Sequence, residues 1–194
     1  MLETLIRKST DYFISHDIID ADDRDVYEYG FHALYSNVVI FSVIGLIAFF
    51  AKQLPVTIAY HVAFIVMRNN AGGYHAKTQI RCFFMSTIIW IISLCVISAI
   101  SSLAVIIAAA LVSTVLIWFK APIEHENNPM SEKKYQRMKI RSRIFSTVLL
   151  LGTILVCLFG TDYLWVATAV AIGMFSHAIL FGVALYSSTI TRRA

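Results

Sequence analysis

Hydrophobic and polar positions divide this chain unevenly. Residues 1–31 carry a charge every few positions, whereas most of 32–186 is built from long apolar runs separated by short polar segments. Between Arg81 and Lys120 no ionised residue occurs. That run is nearly twice the length of one bilayer crossing, which needs about 20 residues at 1.5 Å rise each. The pattern predicts an all-α integral membrane protein of about six transmembrane helices, near 32–51, 54–67, 82–100, 102–119, 144–160 and 163–186. The second, beginning at Pro55, is short enough to require tilt, a re-entrant path or extension into its neighbours. The tight connections at 100–102 and 160–163 predict antiparallel helical hairpins for crossings three/four and five/six.

Before the first crossing, Leu2, Leu5, Ile6 and Phe13 recur at loosely helical spacing with Arg7 and Lys8 among them. This predicts a short amphipathic helix, lying in the membrane interface or packed on the protein. Asp20 is a candidate N-cap for the helix that runs toward the membrane. The whole chain reads as one membrane domain. Its parts are an N-terminal interfacial segment (1–31), a transmembrane bundle (32–186), a polar segment (68–81) and a basic loop (120–143).

Composition sharpens this picture. Of 194 residues 58% are hydrophobic and 14% charged, against roughly a quarter charged in soluble domains. The first thirty residues lack the apolar core of a cleavable signal peptide. With both termini cytoplasmic, every Lys and Arg except Lys52 falls on the inner side, as the positive-inside rule requires. The basic excess then suits anionic lipid of the cytoplasmic leaflet, and nucleic acid is not an expected partner. The two polar segments, 68–81 and 120–143, share the cytoplasmic face.

The first of them holds the candidate chemistry. It reads Met67-Arg68-Asn69-Asn70-Ala71-Gly72-Gly73-Tyr74-His75-Ala76-Lys77-Thr78-Gln79-Ile80-Arg81-Cys82. A cysteine thiolate is a strong nucleophile, and a neighbouring imidazole can take the thiol proton and return it to a leaving amine. Arg68, Lys77 and Arg81 would favour the thiolate. On a straight helix His75 and Cys82 would stand about 10 Å apart along the axis, too far for a hydrogen bond. The dyad therefore requires an irregular backbone between 70 and 80, which Gly72 and Gly73 can supply through positive φ. Cys82 near a helix start would also gain from the amides there. A plain reading stays open beside this one, with Cys82 as a packing residue and His75 as a solvated loop residue. Cys95 and Cys157, deep in apolar runs, read as buried packing thiols.

The stretch Arg68 to Lys77 followed by Cys82 resembles the signature of the AgrB family, the accessory gene regulator membrane endopeptidases of Gram-positive bacteria. Lys120-Ala121-Pro122-Ile123-Glu124-His125-Glu126-Asn127-Asn128-Pro129-Met130 resembles that family's Ala-Pro…Asn-x-Pro loop. The resemblance implies a thiol protease of the bacterial cell membrane acting on AgrD-like propeptides, with Cys82 as nucleophile and His75 as base. Arg68 and Gly73 match further positions on which the family depends. It implies cleavage before the propeptide's acidic tail, an acyl thioester on Cys82, and ring closure by a Cys or Ser within the propeptide.

Other polar residues are weaker candidates. Lys77, Gln79, Lys133 and Lys134 are candidate substrate-binding side chains, and Arg137, Lys139, Arg141 and Arg143 add to the basic field of the second segment. Pro122 and Pro129 stiffen that segment. Gln79, Asn69 and Glu124 are candidates for a third catalytic member. His61 and His177 lie within crossings, where ionisable residues are uncommon; interhelical hydrogen bonding is their expected role. On a rival reading they line the pathway of a small peptide or ion transporter, and on another the chain is a binding subunit of a sensor complex. No metal motif occurs, so neither metal nor cofactor is expected. Gly152, Gly173 and Gly182 allow close helix contacts, within the chain or between two copies in a homodimer.

Overall fold

The computed structural model describes residues 2–73, 79–123 and 130–191. Among them all regular structure is helical: α1 (Leu2–Ser15), α2 (Arg24–Phe50), α3 (Leu54–Ala71), α4 (Gln79–Ala99), α5 (Leu103–Lys120), α6 (Glu132–Phe159) and α7 (Leu164–Thr191), with single 3-10 turns at Ala21–Asp23 and Thr161–Tyr163. Four segments are long and apolar enough to cross a membrane, namely Ala21–Phe50, Leu103–Lys120, Glu132–Phe159 and Leu164–Tyr186, and α4 holds a shorter apolar stretch, Phe84–Ala99. α3 is long enough but diluted by Tyr60, His61, Arg68, Asn69 and Asn70.

Two compact units divide the chain, 1–52 and 53–194. In the first, α1 packs along α2. Ile6 and Thr10 are buried, Ser9 and Tyr35 hydroxyls lie 2.6 Å apart, and the Phe13 and Phe31 rings stand 5.4 Å apart. Arg24 joins the helices by pairing with Asp11 and, at 3.0 Å, with Glu28. Leu5 and Tyr12 remain exposed on the other face of α1. Asp20 does not act as the expected cap: its side chain makes no capping bond, and a 3-10 turn separates it from α2. α2 starts well before the apolar run, because Arg24–Phe31 carries enough contacts with α1 to stay helical outside it.

The second unit is organised around α7. Of its most apolar window 61% is buried, against 28% for α5 and 22% for α6, and α3, α4, α5 and α6 all pack on it. The contact face of α7 is rich in small residues (Ala167, Ala171, Ala178), with Met174 and Phe181 filling the wider gaps. Gly173 marks the closest approach: a Cβ there would lie 2.6 Å from the Tyr60 carbonyl oxygen and 3.2 Å from Ala63 Cβ. Substituting Gly173 with leucine is therefore expected to force α3 and α7 apart at a cost of about 1–3 kcal/mol. The readout is a lowered thermal midpoint of the detergent-purified chain. Gly182→Ala is the control, since nothing lies within 4 Å of that position or of Gly152.

Outward from this core the helices present Val112, Val115, Leu151, Leu155, Leu158, Ile179 and Val183. So continuous an apolar exterior requires a non-aqueous surround, which a bilayer supplies. Cys95 belongs to this exterior rather than to the interior expected of it, while Cys157 is buried. Buried polar groups are tied across helices. Trp90 Nε1 donates to Thr57 Oγ1 at 3.3 Å, Ser93 Oγ donates to the Tyr60 hydroxyl at 3.3 Å, and Ser93 and Ser176 lie 3.0 Å apart. These bonds explain a departure from the hairpin expectation: α4 precedes α5 closely in sequence, yet among the described residues it packs on α7 rather than along α5. The α6/α7 hairpin forms as expected.

The basic segment 120–143 is not a loop throughout. α6 begins at Glu132, with Ser131 Oγ accepting from the Lys134 amide at 3.4 Å and Gln136 bonding Glu132 one turn on. A capping serine and strong helix formers extend α6 beyond its apolar part.

Candidate active site

α3 runs past its expected end at residue 67 and stops where helical backbone is no longer available. The Gly72 amide still bonds the Arg68 carbonyl at 3.1 Å. Gly72 itself takes φ 79°, ψ −162°, a region essentially reserved for glycine, and Gly73 follows at φ 154°. The bend expected between 70 and 80 thus begins at the Gly pair. Arg68, one turn earlier, is half-buried, and Asn70 folds back onto the Val66 carbonyl at 2.7 Å rather than reaching forward.

Two contacts hold the turn. The Ile123 amide donates to the Ala71 carbonyl at 3.2 Å, and a Cβ on Gly72 would meet the Ile123 carbonyl oxygen at 3.2 Å. This joins the two polar segments, whose shared location was legible in the sequence but whose contact was not. His177 Nε2 donates to the Gly72 carbonyl at 2.8 Å. The imidazole is 1% exposed and sits between the rings of Phe64 and Phe181, at 6.0 and 5.9 Å. His177 lies about 20 Å along α7 from Leu164 at 1.5 Å per residue, while the apolar stretch continues to Tyr186. The turn is therefore level with the interior of that stretch. A non-helical carbonyl at such depth is tolerated only when protein satisfies it, and the His177 N–H does so.

His75 and Lys77 lie outside the described residues, as do Glu124 and the side chains of Gln79 and Cys82. The backbone of Cys82 belongs to the first turn of α4, where four amide N–H groups lack helical acceptors and favour an anion. Lys133 and Lys134 are exposed on the first turn of α6, with Arg137 and Arg141 exposed further along it. Arg143 is committed elsewhere: it donates to the Trp118 carbonyl at 3.2 and 3.1 Å and lies 5.1 Å over the Trp118 ring, capping the end of α5. His61 Nδ1 bonds back to the Thr57 carbonyl of its own helix at 2.9 Å. His177 makes its bond across elements, and its one sequence signal was an ionisable ring in an apolar crossing. Ile123 carries no such signal, because it contributes through its backbone.

Comparison with known proteins agrees with the resemblance of these segments. A family model described as Accessory gene regulator B matches residues 6–190. An AgrB-like protein of Listeria welshimeri is 25% identical over 143 residues, covering 72% of this chain and 70% of the relative. AgrB-like proteins of Listeria monocytogenes and Listeria innocua are each 24% identical over the same shares. No solved structure matches the chain.

Proposed function

This chain belongs to the accessory gene regulator B family, and from that premise we propose that it is a membrane-embedded cysteine endopeptidase that trims and cyclises an AgrD-like quorum-sensing propeptide. The observation that carries the reading is the glycine turn at Gly72–Gly73, stitched to Ile123. Its irregular backbone supports the bend that a His75/Cys82 dyad needs, and it links the two segments on which the family resemblance rests.

In this reading His75 takes the Cys82 thiol proton, and the thiolate attacks the carbonyl carbon of the peptide bond before the acidic tail. The imidazolium returns the proton to the departing amine, the C–N bond breaks and a thioester forms on Sγ. A Cys or Ser within the propeptide then gives its proton to His75, neutral again, and attacks the thioester carbonyl. Cys82 leaves as thiolate and a thiolactone or lactone ring closes. The thioester keeps the acyl group activated for the second step, and holding the internal nucleophile close favours closure over hydrolysis. A turn recessed among apolar helices helps to exclude water.

The proposed topology adds α3 and α4 to the four long apolar segments as crossings, with both termini cytoplasmic and the basic face of α6 toward anionic lipid. A homodimer would have to use surfaces other than Gly173, which is already occupied by α3. Lys133 and Lys134 are proposed to attract the acidic tail. Reversing both charges (Lys133→Glu with Lys134→Glu) is expected to raise KM for tail release about tenfold at low salt, with a smaller effect at high salt. An unchanged KM excludes docking there.

The test of the function is reconstitution. Purified chain in vesicles containing anionic lipid is mixed with the acidic-tailed propeptide encoded beside its gene, and tail release is followed by mass spectrometry. Release that Cys95→Ser and Cys157→Ala leave intact supports the reading. Absence of cleavage of such a peptide sinks it.

A further inference from the structure

Two consecutive glycines leave the chain many conformations, so Gly72 and Gly73 permit a turn without selecting one. Selection comes from their partners. The Ile123 amide fixes the Ala71 carbonyl, and the remaining freedom is the orientation of the Gly72 carbonyl, three residues before His75. His177 Nε2–H holds that carbonyl at 2.8 Å. The donor is itself immobilised: the ring is buried, edge-on to Phe64 and against Phe181, on the helix that forms the centre of the bundle. Its Nδ1 has no hydrogen-bond partner among the described residues, so the ring's one polar contact among them is with the turn. A histidine kept in an apolar crossing to bond a backbone carbonyl is a costly way to pack a helix. It is a sound way to fix a peptide plane.

We propose that His177 is a positioning residue for the reaction, its Nε2–H setting the Gly72 peptide plane and through it the placement of His75 relative to Cys82. The inference rests on the endopeptidase reading given above. It differs from a packing role in one checkable respect, because the donor and not the ring volume is what matters. Glutamine places an amide N–H near the position of His Nε2, asparagine places one near Nδ1, and phenylalanine keeps the volume without a donor.

The experiment uses the full chain in lipid vesicles and compares His177→Gln, His177→Asn and His177→Phe. Tail release from the propeptide gives kcat and KM, and the rate of Cys82 alkylation by iodoacetamide without peptide, with His75→Ala as reference, reports the dyad directly. Expected are a kcat about 10- to 100-fold lower in the Phe and Asn variants with KM within about twofold, and recovery to within about threefold of wild type with Gln. Alkylation should follow the same order, the Phe variant falling to the level of His75→Ala. A Phe or Asn variant that matches wild type, or a Gln variant no better than Phe, overturns the proposal. Should the Phe variant fail to fold, the Gln–Asn comparison decides alone. Should wild type release no tail, the function reading fails, and the alkylation series still decides whether His177 acts on Cys82. Alkylation indifferent to His75 overturns both.

Discussion

Replacing Cys82 with alanine is expected to abolish tail release, by about 10⁴-fold or more, because it removes the nucleophile on which every later step depends. The loss should be purely chemical. Alanine suits the first turn of α4, where Cys82 lies, and the change removes a single sulfur atom, so insertion and thermal midpoint should stay close to wild type. Removing His75 should cost less, about 10²- to 10⁴-fold, since the thiol retains a small thiolate fraction at neutral pH and the helix start still favours it. Cys82→Ser discriminates more sharply between classes of function. A transporter for a small peptide or ion would keep its activity, whereas the endopeptidase should lose nearly all of it. A signal secreted at wild-type level by the serine variant would therefore favour transport.

The second large effect is expected at Gly72. Alanine there meets two obstacles at once: a backbone conformation at φ 79°, ψ −162° that side chains avoid, and the Ile123 carbonyl oxygen 3.2 Å from the new Cβ. The local cost is about 1–3 kcal/mol. It falls on the turn more than on the bundle, because α3 and α7 also meet deeper in the helices, where Gly173 approaches Tyr60 and Ala63. The chain can relieve the strain by rotating the Gly72 peptide, which breaks the bond to His177. Tail release should then drop about 100-fold or more while the thermal midpoint changes by only a few degrees. Gly73→Ala meets a backbone obstacle of its own at φ 154° but no steric one, since its Cβ would approach His177 Nε2 at an ordinary 3.6 Å, so its effect should be smaller. Equal tolerance of alanine at both positions would argue against a functional turn.

Much of this was legible in the residues, for reasons that differ from element to element. Helices inside apolar runs follow from length alone, so α5 and the apolar part of α7 fall close to their expected limits. Helix ends outside those runs do not, because hydropathy marks depth in a bilayer and not the end of hydrogen bonding. Arg24–Phe31 and Glu132–Arg143 are helical for local reasons, contacts with α1 in one case and the Ser131 cap in the other. The α4/α5 expectation failed because a short connection dictates neighbours in sequence, whereas the match of Ser93 with Tyr60 and Ser176 decides where α4 packs. At the site, the Gly pair announced its own positive φ. The clamp around it was illegible: Ile123 acts through an amide that any residue but proline could offer, and His177 binds a carbonyl common to every residue. Arg143 shows the converse, a cation that belongs to a helix end and not to the free basic field.

The most direct measurement uses a propeptide whose internal ring-closing nucleophile is replaced by alanine, so that the acyl-enzyme cannot be resolved by cyclisation. After mixing with the reconstituted chain and rapid acid quench, the protein is digested and the fragment containing Cys82 is weighed. The expected result is an added mass equal to the propeptide without its tail, carried on Cys82 alone and removed by hydroxylamine as a thioester should be. Tail release with an unmodified Cys82, or acylation at Cys95 or Cys157 instead, would contradict the assignment of the nucleophile and with it the proposed mechanism.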